Sequence, residues 1–87
     1  MMVRIMPDVL CQSLDGEAIL LHLPTERYFG LNEIGYRIWQ LVESGLSVDD
    51  VVFAIVAEYD VSKETAKHDV VTLLSQLSER GLVQFEN

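Results

Sequence analysis

Cysteine, proline and positive charge are all scarce in this 87-residue chain: one Cys, two Pro and six Lys or Arg. A single cysteine, Cys11, permits no internal disulfide. That argues against a small cross-linked secreted scaffold and fits a reducing compartment. The six bases face 14 acids, for a net charge of −8. Phosphate-backbone binding rests on Lys and Arg neutralising anions, so the composition disfavours general nucleic-acid binding. It favours partners that are neutral, basic or chosen by apolar contact. Long apolar runs are also missing, which leaves nothing to span a membrane as a helix. The start, MMVRIMPDV, lacks the apolar core and small-residue cleavage site of a secretory signal. The expected location is the cytoplasm. What the chain does have is 49% apolar residues, enough for one modest core and a single domain over residues 1–87.

Two β-like runs come first, Val9 to Leu14 and Glu17 to Leu23. Asp15-Gly16 between them is a strong two-residue hairpin signal, because Gly tolerates the positive φ of a type I′ turn. Pro24-Thr25-Glu26 marks the next turn, and the short run Arg27 to Leu31 follows. The pattern predicts a three-stranded antiparallel meander. With the hairpin at Asp15-Gly16, Leu10, Gln12, Leu14, Glu17, Ile19 and Leu21 share one face, and Val9, Cys11, Ser13, Ala18, Leu20 and His22 share the other. Both faces carry apolar residues while helices are expected to cover one, so the second is a candidate contact surface or homodimer face.

Three helices are predicted next. The first runs from about Asn32 to Glu43, with Leu31, Ile34, Ile38, Leu41 and Val42 at helical spacing, Asn32 as N-cap and Gly45 as the stop. The second begins at Ser47 and carries Val48, Val51, Val52, Ile55 and Tyr59. Its Asp49 and Asp50 suit the positive end of a helix dipole. The third is capped by Ser62 and runs to about Arg80, with a stripe of Ala66, Val70, Leu73, Leu74 and Leu77 and Gly81 beyond its end. Leu82 to Phe85 reads as a short extended tail.

Constellations for chemistry are thin. Cys11 and His22 would lie diagonally on one hairpin face, the one Cys–His pair available, and a buried Cys with a hydrogen-bonded His explains them as well. His68 and Asp69 are neighbours on a helix, so their side chains diverge by about 100°. One Cys and two distant His do not make a zinc set, and no glycine-rich phosphate loop is present. The expectation is no catalytic residue, no metal and no cofactor: not an enzyme. The order of elements is α+β and winged helix-turn-helix-like. Such folds often put a recognition helix into DNA. Here that helix offers Lys63, Lys67 and Arg80 against Glu64, Asp69 and Glu79, which sum to zero where a DNA reader concentrates positive charge. A DNA-binding regulator is therefore the alternative reading.

Arg27 to Gly30 raises a different prospect. In a sequential meander it is an outer strand, it carries no proline, and its free N–H and C=O groups can accept a guest strand. Tyr28 and Phe29 then point to opposite faces, one into the core and one toward the guest. On the third helix, Val71 lies well off the core stripe on a flank shared with Lys67, Leu74 and Ser78. Val71 and Leu74 are read as the groove wall beside the strand, with Asp69 on the opposite flank, able to attract a basic side chain.

The series GEAILLHLPTERYFGLNEIGYRIWQLVESGLSVDDVV and YDVSKETAKHDVVTLLSQLSERGLV resembles the pyrroloquinoline-quinone D-type (PqqD-like) peptide chaperones. It equally resembles the stand-alone recognition elements of ribosomal peptide (RiPP) pathways. The small size looks most like the leader-binding half of a split lasso-peptide B protein. The resemblance runs from about Pro7 to Val83. It is carried by the order and spacing of the Leu31-Asn32 junction, Ile38-Trp39, Gly45, and Asp69-Val70, Leu73-Leu74, Leu77 and Gly81-Leu82. It implies a non-catalytic domain that holds the leader of a precursor peptide as an added strand, between the third strand and the third helix. Carried over by position, the strand is Arg27, Tyr28, Phe29 and Gly30, and the helix wall is Lys67, Asp69, Val70, Val71 and Leu74. The implied partners are the precursor leader and a separate processing enzyme. In lasso pathways that is a leader peptidase followed by an ATP-dependent macrolactam synthetase, and in the quinone pathway a radical enzyme. Lasso leaders typically offer a tyrosine and a proline a few residues apart.

Overall fold

A computed structural model describes residues 1–86 of the chain. Its elements run β1 (Met2–Ile5), β2 (Val9–Leu14), β3 (Glu17–His22), β4 (Arg27–Leu31), α1 (Glu33–Glu43), α2 (Val48–Glu58), α3 (Lys63–Glu79) and β5 (Val83–Glu86). The architecture is α+β, with three helices, a three-stranded antiparallel sheet ordered β2-β3-β4 and a two-stranded sheet β1-β5.

The meander follows from its turns. Asp15 and Gly16 both take positive φ, 53° and 82°, the geometry that matches a two-residue turn to the right-handed twist of its strands. Leu14 accordingly pairs with Glu17, and Cys11 with Leu20. The second turn closes through Glu26, a non-glycine at φ 56° whose amide donates to the Leu23 carbonyl at 3.3 Å. From there β4 pairs back on β3, Leu20 opposite Phe29 and Ile19 opposite Gly30. The alternation then sorts the faces: Ala18, Leu20 and Leu31 are buried against the helices, while Leu10, Leu14, Ile19 and Tyr28 stay exposed.

Each helix starts where a side chain satisfies a free first-turn N–H. Asn32 accepts from the Gly35 amide, Ser47 from Asp50 and Ser62 from Thr65. Gly45 and Gly81 follow α1 and α3 in the left-handed conformation, φ 93° and 75°, where a Cβ is strained. The core gathers Leu20 from the sheet, Ile38 and Trp39 from α1, Val51 and Ile55 from α2, and Val70, Leu74 and Leu77 from α3. Trp39 is a core residue, 2% exposed. Arg37 on α1 holds Glu58 on α2 through two bonds of 2.7 and 2.9 Å, and that contact keeps the Glu58 carboxyl below its ordinary range.

The element that the sequence reading leaves out is β1. The predicted extended tail does form a strand, β5, and its partner is β1, with Val3 opposite Phe85 and Ile5 opposite Val83. Val3, Leu82 and Val83 are buried by this pairing. A four-residue strand with one inward-facing buried side chain carries little periodicity, and its partner lies at the far end of the chain.

Candidate functional site

In the order β2-β3-β4, strand β4 has β3 on one side and no strand on the other among the described residues. Its alternation is the expected one. Phe29 packs against the core and Leu31 is buried, while Tyr28 is 69% exposed and Gly30 lies on the open face. A Cβ built on Gly30 would meet nothing within 4 Å, so this glycine is not demanded by crowding within the chain. It leaves a gap beside Ile19.

Hollows flank β4 on both sides. On the helix side, a cleft of about 400 Å³ has Phe29 and Leu31 of β4, Ile34 and Ile38 of α1, and Asp69, Leu73 and Gln76 of α3 along its walls. The α3 residues recur at i, i+4 and i+7, one face of a helix. A smaller hollow of about 250 Å³ continues past the other half of β4, bounded by Arg27, Tyr28, Glu79 and Arg80. Between the two, the Arg80 guanidinium lies 5.1 Å from the centre of the Phe29 ring, a cation–π contact. On the open face, a broader depression of about 580 Å³ runs from Leu14 and Ile19 to Gly30, Leu31 and Asn32. It is the largest of the hollows, and it meets the cleft at Gly30 to Asn32. A strand laid along β4 would send alternate side chains to its two sides.

The residues singled out from the sequence divide. Arg27, Tyr28, Phe29, Gly30 and Asp69 stand around these hollows. Val70 and Leu74 do not: both are fully buried in the core. Lys67 and Val71 are not on the cleft walls either. At 100° per residue they lie about 160° around α3 from Asp69. The cleft beside β4 thus borders the Asp69 flank of α3, whereas the sequence reading expects a groove wall of Val71 and Leu74. The reason is rotational: α3 buries Ala66, Val70, Leu74 and Leu77, and β4 lies on the Asp69 side of that strip. The residues passed over are Leu73, Gln76 and Arg80 on α3 and Ile34 on α1. The signal for the first three was the continuation of Asp69 at i+4, i+7 and i+11.

Cys11 and His22 do not form a reactive pair. Cys11 pairs with Leu20 and His22 with Val9, which leaves them diagonal. His22 Nδ1 is 2.8 Å from Thr25 Oγ1, and its ring lies against Gly81. Partial burial, then the charge of Glu43, pushes the Cys11 thiol up from its ordinary value, opposite to the shift that activates a thiolate nucleophile. Among the described residues, no group of three or more His, Cys, Asp or Glu could hold a metal ion. No described helix is long and apolar enough to cross a membrane.

Comparison with known proteins adds three findings. Residues 17–83 match the family model of coenzyme PQQ synthesis protein D (PqqD). A solved structure of TbiB1 in complex with the TbiA(beta) leader peptide is similar at 38% identity. The match covers 97% of this chain and 98% of that one, with a TM-score of 0.90. A lasso peptide synthetase B1 complexed with the leader peptide is similar at 27% identity, over 98% and 100% of the two chains, with a TM-score of 0.88. No curated protein gives a significant match.

Proposed function

Because the chain belongs to the PqqD family, as a PqqD-like RiPP recognition element, we propose that it binds the leader segment of a ribosomally made precursor peptide in lasso-peptide biosynthesis. The leader adds to β4 as a fourth strand and lies in the cleft beside α3. Main-chain bonds to the β4 edge supply affinity without regard to sequence, and the flanking hollows select side chains. The observation that carries this reading is the unpaired β4 edge with hollows on both sides. The two similar solved chains, each in complex with a leader peptide, support it further.

In this reading the whole chain is one winged-helix-like binding domain and performs no chemistry. It works in the cytoplasm and hands the held precursor to a separate leader peptidase, upstream of the macrolactam synthetase. Arg27, Tyr28, Phe29, Gly30 and Asp69 contact the leader together with Leu73, Gln76 and Ile34. Val70 and Leu74 support the wall from the core. Duplex DNA is not a partner: α3 and its cap carry equal numbers of acids and bases, against the basic surface that phosphate contacts need.

The test is a titration of isotope-labelled protein with the leader of a precursor encoded beside its gene, followed by amide shifts and hydrogen exchange. The expected result is shifts at Arg27–Leu31 and along Asp69–Gln76, with slowed exchange of β4 amides. Shifts confined to β2 or to α2 would overturn strand addition at β4.

A further inference from the structure

The cleft has an electrical direction. One end is marked by the carboxylate of Asp69, beside Leu73, Gln76 and the second half of β4. The other end is marked by Arg27 and Arg80, with Glu79 offsetting one of the two charges. Ion pairs within the described residues are Arg4–Glu86 and Arg37–Glu58, so Asp69, Arg27 and Arg80 are not held in direct ion pairs. Of the six bases in the chain, two sit in those ion pairs, and two of the remaining four stand at this one end of the cleft. The stacking of Arg80 on Phe29 places its charge at the cleft boundary.

Resting on the reading of β4 as a guest-strand site, we propose that Asp69 at one end and Arg27 with Arg80 at the other select a guest with a basic side chain and an acidic side chain in fixed order. Asp69 and Arg80 are eleven residues apart on α3, about 16 Å at 1.5 Å per residue. An extended strand covers that span in about five residues at ~3.4 Å each. The neighbouring strands pair antiparallel, and a guest that continues the pattern has its N-terminal end beside Leu31 and Asp69. The occupant is therefore an extended peptide segment with Lys or Arg four or six residues before Asp or Glu, the even spacings that keep both side chains on the α3 side of the strand. Apolar pockets alone accept a strand in either direction, and the charge pair makes the reversed guest repulsive at both ends, a form of discrimination against the wrong register.

A random peptide library displayed on phage tests this without knowledge of the natural precursor. Peptides selected on the wild-type protein and shown by amide shifts to bind β4 are expected to be enriched for a base four or six residues before an acid. One such peptide is then synthesised with its base and acid exchanged. Its wild-type affinity is expected to fall about four- to 25-fold, two exposed-to-half-buried pairs at about two- to fivefold each. In the Asp69→Arg/Arg80→Glu double variant the preference is expected to invert, and at 1 M salt it shrinks in both proteins. Both substituted positions are exposed, and a circular dichroism melt checks that the variant folds. Peptides that bind β4 with no charge order, or a double variant that keeps the wild-type preference, overturn the charge inference alone. A selection that yields no β4 binder overturns both it and the strand-addition reading.

Discussion

The two flanks of α3 belong to one helix and one sequence, yet they face different surroundings. The flank of Asp69, Leu73 and Gln76 borders a cleft whose opposite wall is β4. The flank of Lys67 and Val71 does not, and Val71 is left 39% exposed. Between them runs the strip of Ala66, Val70, Leu74 and Leu77, each at most 1% exposed. An apolar residue beside a core strip therefore does not mark a groove. A groove needs a second wall, and on the Asp69 flank β4 supplies it.

Substitutions along α3 and β4 test this contrast. Leu74→Asp should have the largest effect, because it buries a carboxylate without a partner in the core. Losses above about 4 kcal/mol are expected for such a change, lowering the calorimetric melting point by on the order of 20 °C. Leu73→Ala should separate binding from folding. It removes a half-buried side chain from the cleft wall. Leader affinity measured by isothermal titration should fall about tenfold, ~1.4 kcal/mol, while the melting point drops only about 4–8 °C, as for ~1 kcal/mol of stability. Gly30→Leu probes the wall opposite. The space around Gly30 is open and strand interiors disfavour glycine, so stability should hold or rise while leader affinity falls about fivefold, ~1 kcal/mol, as the new side chain fills the gap beside Ile19. Val71→Asp should have the smallest effect, within about 0.5 kcal/mol in stability and with unchanged affinity. A large loss of leader binding in a folded Val71→Asp protein, with Leu73→Ala silent, would exchange the roles of the two flanks.

Much of the candidate site was legible in the residues. The outer position of Arg27–Leu31 followed from two turn signals in a row, and the opposite facing of Tyr28 and Phe29 followed from strand alternation. Asp69 was also visible as a polar residue beside the core strip. The choice of wall was not legible. By pattern, Val71 stands out as an apolar residue off the stripe, whereas Leu73 belongs to the stripe it adjoins. Hydrophobicity alone could not distinguish a leucine packed on the core from one that also faces an open cleft. The resemblance to PqqD-like proteins pointed to α3 but could not supply its rotation.

Caps, turns and periodicities are decided by groups a few residues apart, and for this reason the residues alone mark the three helices, their starts at Asn32, Ser47 and Ser62, and the meander with its turn at Asp15-Gly16. The pairing of β1 with β5, which joins the two ends of the chain, and the presentation of the Asp69 flank to β4 were decided only by the tertiary structure. Both depend on how whole elements dock. A buried strip sets which side of a helix faces the core, but the neighbour beside each of its two flanks is chosen by the packing of all the elements together.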